Sequence, residues 1–176
     1  MYPGLVVETP TFSKLENTDT EPTLRSAVDL ISSQLERNAI RTDLVLEPIT
    51  EVNLVGQRTI FIRIILNLLV NSLEELKKCP IDNREILVRG VIKSGNLILE
   101  IKDNGNGLEK RELKQIFEKA YTSKHRGKHF GLGLYFVKRS VEECFKGKVE
   151  LNSKKGHYTT VRLIIPIDNP KQMDDE

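Results

Sequence analysis

Two runs of alternating polarity, residues 85–92 (EILVRGVI) and 96–102 (NLILEIK), are separated only by Lys93-Ser94-Gly95. So short a connection permits an antiparallel hairpin and little else, because a parallel return needs a crossover of a dozen or more residues. A hairpin with one apolar face must be covered. The segment just before it offers the cover: over residues 58–78, Phe61, Ile64, Ile65, Leu68, Leu69 and Leu73 recur at helical spacing. Another amphipathic helix is predicted over 23–38, from Leu24, Ala27, Val28, Ile31 and Leu35, and two short strands over 42–47 and 51–55, parted by Pro48. Beyond the hairpin the pattern predicts a glycine-rich turn, a short helix at 110–117, a polar basic loop, a helix at 132–144, and strands at 148–152 and 159–166. Strands that come in adjacent pairs between helices imply an α+β fold: a two-layer α/β sandwich, with a mostly antiparallel mixed sheet and helices on one face. Residues 1–21 read as a linker or the remnant of a preceding segment, 22–167 as one domain, and 168–176 as a disordered tail.

Composition narrows the function classes. A chain of 176 residues, 39% hydrophobic, can bury one core without metals or disulfides. Its net charge of +2 argues against nucleic acid as a partner. Cys79 and Cys144 lie outside any CxxC spacing and read as two buried structural thiols in a reducing cytosol. The longest apolar run, residues 59–70, is interrupted by Arg63 and Asn67 and falls short of the about 20 residues that a membrane-spanning helix needs. Residues 1–10 lack a basic leader and a long apolar run. A soluble, cytoplasmic fragment without membrane contact of its own is expected. No GxxxxGK[ST] segment is present, so a P-loop is excluded.

Three constellations could carry chemistry. On the long predicted helix, Arg63, Asn67, Asn71 and Glu75 recur every four residues and form one polar stripe. This is what a solvated helix face looks like, and also what a neutral oxygen ligand for Mg²⁺ on a helix would require. Directly after the strand NLILEIK stands Asp103-Asn104-Gly105-Asn106-Gly107. It suits an ordinary turn, and equally a backbone that lets a flat ligand approach, with an aspartate to accept a hydrogen bond from an exocyclic amine. The third is residues 122–134 (TSKHRGKHFGLGL), where Lys124, Arg126 and Lys128 lead into Gly131-Leu132-Gly133-Leu134. Basic side chains before glycines at a helix start make a plausible polyphosphate cradle. His125 and His129 have no acidic or cysteine partner at ligand spacing and read as loop polar groups, and His157 falls in a predicted hairpin turn.

In order, NLLVN at 67–71, DNGNG at 103–107, IFEKAYTSK at 116–124, GLGL at 131–134 and GHYTT at 156–160 resemble the ATP-binding superfamily of gyrase, Hsp90, histidine kinases and MutL. The resemblance extends over about residues 24–166. It implies the Bergerat ATP-binding sandwich, with ATP and Mg²⁺ as ligands. By it Asn71 binds Mg²⁺, Asn67 lies beside the phosphates, and Asp103 contacts the adenine amine. Gly105 and Gly107 shape the base pocket and Thr159 supports adenine. Lys124 and the backbone from Gly131 through Leu132 and Gly133 to Leu134 meet the phosphates under a lid. Glu75, Leu108, Thr122 and Ser123 complete the implied nucleotide-binding set, with Asn67 and Lys124 as the catalytic pair.

The branch of the superfamily turns on Asn67. Its hydrolytic members carry a glutamate four residues before the magnesium-binding asparagine, and an asparagine cannot remove a proton from water. The sequence is similar to the histidine-kinase branch, the ATP-dependent catalytic domain of two-component sensors. There the γ-phosphoryl group passes to a histidine on a dimerisation and phosphoacceptor helical domain, and onward to a response-regulator receiver domain. No histidine precedes residue 125, so the acceptor is expected elsewhere; autophosphorylation is not expected of this chain alone, which should be monomeric. Other readings are a free-standing kinase of the anti-sigma type, a degenerate nucleotide-binding regulator, and a hydrolytic ATPase. Ser72 stands where alanine is frequent and Tyr158 where glycine is frequent. Neither departure is expected to touch a group needed for chemistry, although Tyr158 could alter the turn beneath adenine.

Overall fold

The computed structural model describes residues 17–47, 53–55, 58–117 and 133–167. Strand β1 (Asn17–Asp19) leads into helix α1 (Thr20–Arg37), followed by β2 (Ile40–Leu46), β3 (Asn53–Val55) and α2 (Arg58–Leu76). A single 3-10 turn (Ile81–Asn83) then enters the hairpin of β4 (Arg84–Lys93) and β5 (Asn96–Asp103). Helices α3 (Lys110–Gln115) and α4 (Gly133–Cys144) precede a closing hairpin, β6 (Lys148–Lys154) and β7 (Tyr158–Pro166). The main sheet has the order β2-β4-β5-β7-β6, and β1 pairs with β3 in a separate two-stranded sheet.

One pair in the main sheet, β2 with β4, is parallel, and the other three are antiparallel. The parallel pair follows from α2, which lies between β2 and β4 in the chain and supplies the crossover such a pair requires. The β4–β5 turn takes positive φ at both Ser94 and Gly95, 50° and 71°, as a two-residue hairpin loop of the favoured twist demands.

Alternation along β5 decides what faces the helices. Leu97, Leu99, Ile101 and Asp103 are buried, whereas Lys102 is exposed and Glu100 half-buried. Opposite them, α2 buries Ile64, Ile65, Leu68, Leu69, Ser72, Leu73 and Leu76, and α4 buries Val137, Ser140 and Val141. The Phe61 and Phe145 rings meet edge to face at 5.8 Å between centroids. The other face of the sheet is charged: Arg162 pairs with Glu100 and Glu150, and Arg89 with Glu47. Helices on one face of a mixed sheet is the architecture the hydrophobic periods imply.

Two expectations fail in detail. Residues 17–21 are not linker: β1 is a strand, and α1 begins at Thr20 rather than after Pro22. A three-residue strand is too short to display a period, and proline is tolerated in a first helical turn, where its missing N–H costs no hydrogen bond. Cys79 and Cys144 are half-buried free thiols rather than buried ones: Cys79 lies in the turn after α2 and Cys144 is the last residue of α4.

Candidate functional site

The polar stripe on α2 stays a stripe because its other faces are consumed by the core. Arg63 is exposed, and Asn67, Asn71 and Glu75 are half-buried. Asn67 Nδ2 donates to the Arg63 carbonyl at 2.8 Å. A Cβ placed on Gly133, the first residue of α4, would lie 3.1 Å from Asn67 Oδ1 and 3.8 Å from Asn71 Nδ2. Glycine there lets the start of a twelve-residue helix approach both amides. Farther along, the Arg63 guanidinium lies over the Phe136 ring at 4.2 Å and ties α2 to α4. Asn71 Nδ2 is buried with no hydrogen-bond partner among the described residues. A buried polar group left so costs about 1–3 kcal/mol, so this position is built for something other than stability.

Asp103 occupies the opposite end of the stripe. Because it continues the inward parity of Leu97, Leu99 and Ile101, the residue is only 4% exposed. Oδ1 accepts the Gly105 N–H and Oδ2 the Ser72 hydroxyl, each at 3.0 Å. Burial pushes the carboxyl up to about 6; Gly105, Ser72 and the Thr159 main chain pull it down, and the negative charge of Glu75 pushes it up. A Cβ on Gly105 would meet Asp103 Oδ1 at 2.8 Å, so the space beside the carboxylate exists because residue 105 has no side chain.

The loop that follows is clamped to the β6–β7 turn. Gly107 has φ +58°, and a Cβ there would lie 2.2 Å from the Lys154 carbonyl oxygen, so this residue needs glycine on both conformational and steric grounds. Ser153 Oγ accepts the Leu108 N–H at 2.8 Å, donates to the Tyr158 carbonyl at 2.7 Å, and lies 3.1 Å from Thr159 Oγ1. The Gly156 N–H donates to the Asn106 carbonyl at 2.6 Å. Asn104 holds the other flank: its Oδ1 accepts the Glu85 N–H at 2.8 Å and its Nδ2 donates to the Asn83 carbonyl at 2.7 Å.

The structure thus gathers Asn67, Asn71, Glu75, Asp103, Gly105, Gly107, Leu108, Gly133 and Thr159 around α2 and the turn after β5. Leu134 is half-buried against the core. Lys124, Thr122, Ser123, Gly131 and Leu132, with His125 and His129, lie outside the described residues. Sequence reasoning missed Ser153 and Asn104, which bear only on loop shape. It also dismissed Ser72, wrongly: the hydroxyl bonds directly to the carboxylate expected to read the base. Tyr158 begins β7, and its ring lies 5.2 Å from Nζ of the exposed Lys102. Among the described residues no group of three or more His, Cys, Asp or Glu side chains could hold a metal. A cation here would take most of its oxygens from a ligand and one from the Asn71 amide oxygen, whereas the Asn71 amide nitrogen, a buried donor with no partner among the described residues, suits an oxygen of that ligand. No described helix is long and apolar enough to cross a membrane.

Comparison with known proteins agrees with this geometry. The family described as histidine kinase-, DNA gyrase B- and HSP90-like ATPase matches residues 56–169. The sensor histidine kinase GraS of Staphylococcus epidermidis is 37% identical over 91 residues, covering 50% of this chain and 26% of GraS. The sensor protein RprX of Bacteroides fragilis is 27% identical over 158 residues, covering 88% of this chain and 30% of RprX. The chain therefore spans less than a third of the length of these relatives. Among solved structures, the catalytic domain of the histidine kinase ThkA superposes with a TM-score of 0.76 at 17% identity, over 88% of this chain and 96% of that one. Full-length ShkA in complex with AMPPNP gives 0.76 at 19% identity, over 90% of this chain and 32% of that one.

Proposed function

The chain belongs to the histidine kinase-, DNA gyrase B- and HSP90-like ATPase family, with the catalytic-domain fold of the sensor kinases, and we propose that it holds Mg-ATP for transfer of the γ-phosphoryl group to a histidine on a separate helical domain. Adenine lies at Asp103, whose carboxylate accepts a hydrogen bond from the exocyclic amine, with Gly105 and Gly107 giving the ring room and Thr159 behind it. The phosphates run along the α2 stripe toward Asn71, Asn67 and the N-terminus of α4, where main-chain N–H groups and the helix dipole favour negative charge. Asn71 would contribute one oxygen to Mg²⁺, which when bound neutralises phosphate charge. Thr122, Ser123, Lys124, Gly131 and Leu132 are proposed to close over the phosphates. The receiving domain then passes the group to a response regulator, and this chain works as a cytoplasmic part of the longer sensor.

What carries the reading is Asn67. Its amide nitrogen is committed to the Arg63 carbonyl, and an amide has no basic lone pair with which to take a proton from water. The site can position and neutralise, which phosphoryl transfer mainly requires, but it leaves the nucleophile to come from outside. In the step itself the imidazole nitrogen forms the new N–P bond, the bridging P–O bond breaks, ADP departs with the electron pair, and the imidazole proton passes to solvent.

The test supplies the chain with γ-labelled ATP, Mg²⁺ and a separately produced acceptor helical domain. Acid-labile, base-stable label on the acceptor is the expected result. Steady ADP release without any acceptor would assign a hydrolase, and acid-stable label on a hydroxyl would assign a serine or threonine kinase.

A further inference from the structure

The buried contact between Ser72 and Asp103 has a chemical consequence for which base is read. Ser72 sits on the core-facing side of α2, between Leu69 and Leu76, and is 5% exposed. A hydroxyl in such a place costs free energy unless it is bonded, and here it donates to Asp103 Oδ2 at 3.0 Å. With Oδ1 accepting the Gly105 N–H at 3.0 Å, both oxygens are held by donors, one from the helix and one from the turn. The carboxylate is therefore held at both oxygens, with Oδ1 next to the position that a Cβ on Gly105 would fill.

Adenine presents an amine donor on its six-position, whereas guanine presents a carbonyl acceptor there. A fixed, ionised carboxylate attracts the first and repels the second. A protonated carboxyl can donate to the second. We propose that Ser72 is a positioning residue for purine selectivity: by donating to one oxygen of Asp103 it keeps the group oriented as an acceptor, so that adenine is taken and guanine refused. This rests on the reading of Asp103 as the adenine contact.

Electrostatics supports the geometry. Around Asp103, Glu75 on α2 brings negative charge, the Gly105 N–H and the β7 main chain at Thr159 donate, and Ser72 is the side-chain donor. Against burial and Glu75, these donors hold the carboxyl at about 6. Removing the Ser72 hydroxyl moves it upward, toward the pH at which the domain must work, and increases the protonated fraction.

The experiment measures ATP and GTP affinity from about pH 5.5 to 8.5 for the parent, Ser72→Ala and Ser72→Thr, with the Asp103 carboxyl titration followed by carbon NMR. Comparing variant with parent at each pH cancels the titration of the nucleotide's own phosphates. Ser72→Ala should weaken ATP about tenfold near pH 6, with the gap narrowing as pH rises, a smaller ATP-to-GTP ratio, and an upward-shifted Asp103 titration. Ser72→Thr, which keeps the hydroxyl, should restore the ratio. A loss equal for ATP and GTP at every pH, or an Asp103 titration that does not move, overturns the proposal while leaving Asp103 as the adenine contact. An Asp103→Ala variant that binds ATP as well as the parent overturns the adenine reading itself, and this proposal with it.

Discussion

The two ends of the α2 stripe are built on opposite principles. At the Asp103 end nearly every polar group is already paired: both carboxylate oxygens accept hydrogen bonds, and Ser153 and Asn104 stitch the turn to β6, β7 and β4. At the Asn67–Asn71 end the valences are left open, with Asn71 Nδ2 buried and unpartnered among the described residues and Asn67 Oδ1 facing the bare α carbon of Gly133. The difference follows from what each end is proposed to meet. A neutral, planar base is recognised by shape and by a few fixed polar groups, so that end is preorganised. Phosphates bring charge and their own oxygens, and an end that satisfied itself internally would have nothing to offer them.

If the base end is rigid because its loop is locked, the lock is where the largest effect lies. Gly107→Ala places a methyl 2.2 Å from the Lys154 carbonyl oxygen at φ +58°, and the turn must move away from β6. A stability loss of about 2–4 kcal/mol in urea unfolding is expected, together with loss of ATP binding. Gly156→Ala is the control, because the same methyl there meets nothing within 4 Å although φ is also positive, at +78°. It should cost only the conformational penalty, about 1 kcal/mol, and spare binding.

Asp103→Asn should split stability from function. The folded-state pKa of Asp103 lies near 6, above the ordinary value of 3.8. The native protein therefore binds more protons than the unfolded chain between those limits, and its stability falls as pH rises from about 4 to about 6. The asparagine variant escapes that loss. It should be more stable than the parent by about 1–3 kcal/mol at pH 7, with the advantage shrinking toward pH 4. Nucleotide affinity should fall by at least about tenfold. In the parent, affinity measured relative to this variant should decline as pH drops through about 6. A variant less stable than the parent at pH 7 would contradict the idea that burial of this charge is a cost carried for binding.

Ser153→Ala tests the stitching more gently. It removes the acceptor of the Leu108 N–H and the donor to the Tyr158 carbonyl. About 1–2 kcal/mol of stability should go, with a few-fold loss of ATP affinity that is independent of Mg²⁺.

How much of this was legible in the sequence depended on whether a period or a chemical motif carried it. The hairpin, both long helices and the one-sided cover followed from alternation and helical spacing, and the grouping of Asn71, Asp103 and Gly107 in one region from motif order. The β1 strand was illegible because three residues cannot display a period, and its partner β3 lies 36 residues away in register. Ser72 was readable and was misread. It falls four residues after Leu68 and four before Leu76, on the buried row, and Asp103 falls two after Ile101, on the buried parity. Carrying both periods one step further would have set a hydroxyl against a carboxylate. Ser153 had no such signal, because its role depends on how the β6–β7 turn meets the Gly107 loop.

The smallest stability effect is expected at the open end, where it is the most informative. Asn71→Ala removes an amide whose nitrogen is buried without a partner among the described residues, and alanine is the better helix former. The variant should therefore be as stable as the parent or more so, by about 0.5–1 kcal/mol. Binding should nevertheless suffer in one component: titrations of ATP with and without Mg²⁺ should differ in the parent and coincide in the variant. The same substitution at Asn67, which donates to the Arg63 carbonyl on its own helix, should weaken ATP without removing the metal dependence. If instead Asn71→Ala destabilised the fold and kept the magnesium effect, the amide would be structural. The contrast between a satisfied base end and an open phosphate end would then reduce to an accident of side-chain placement.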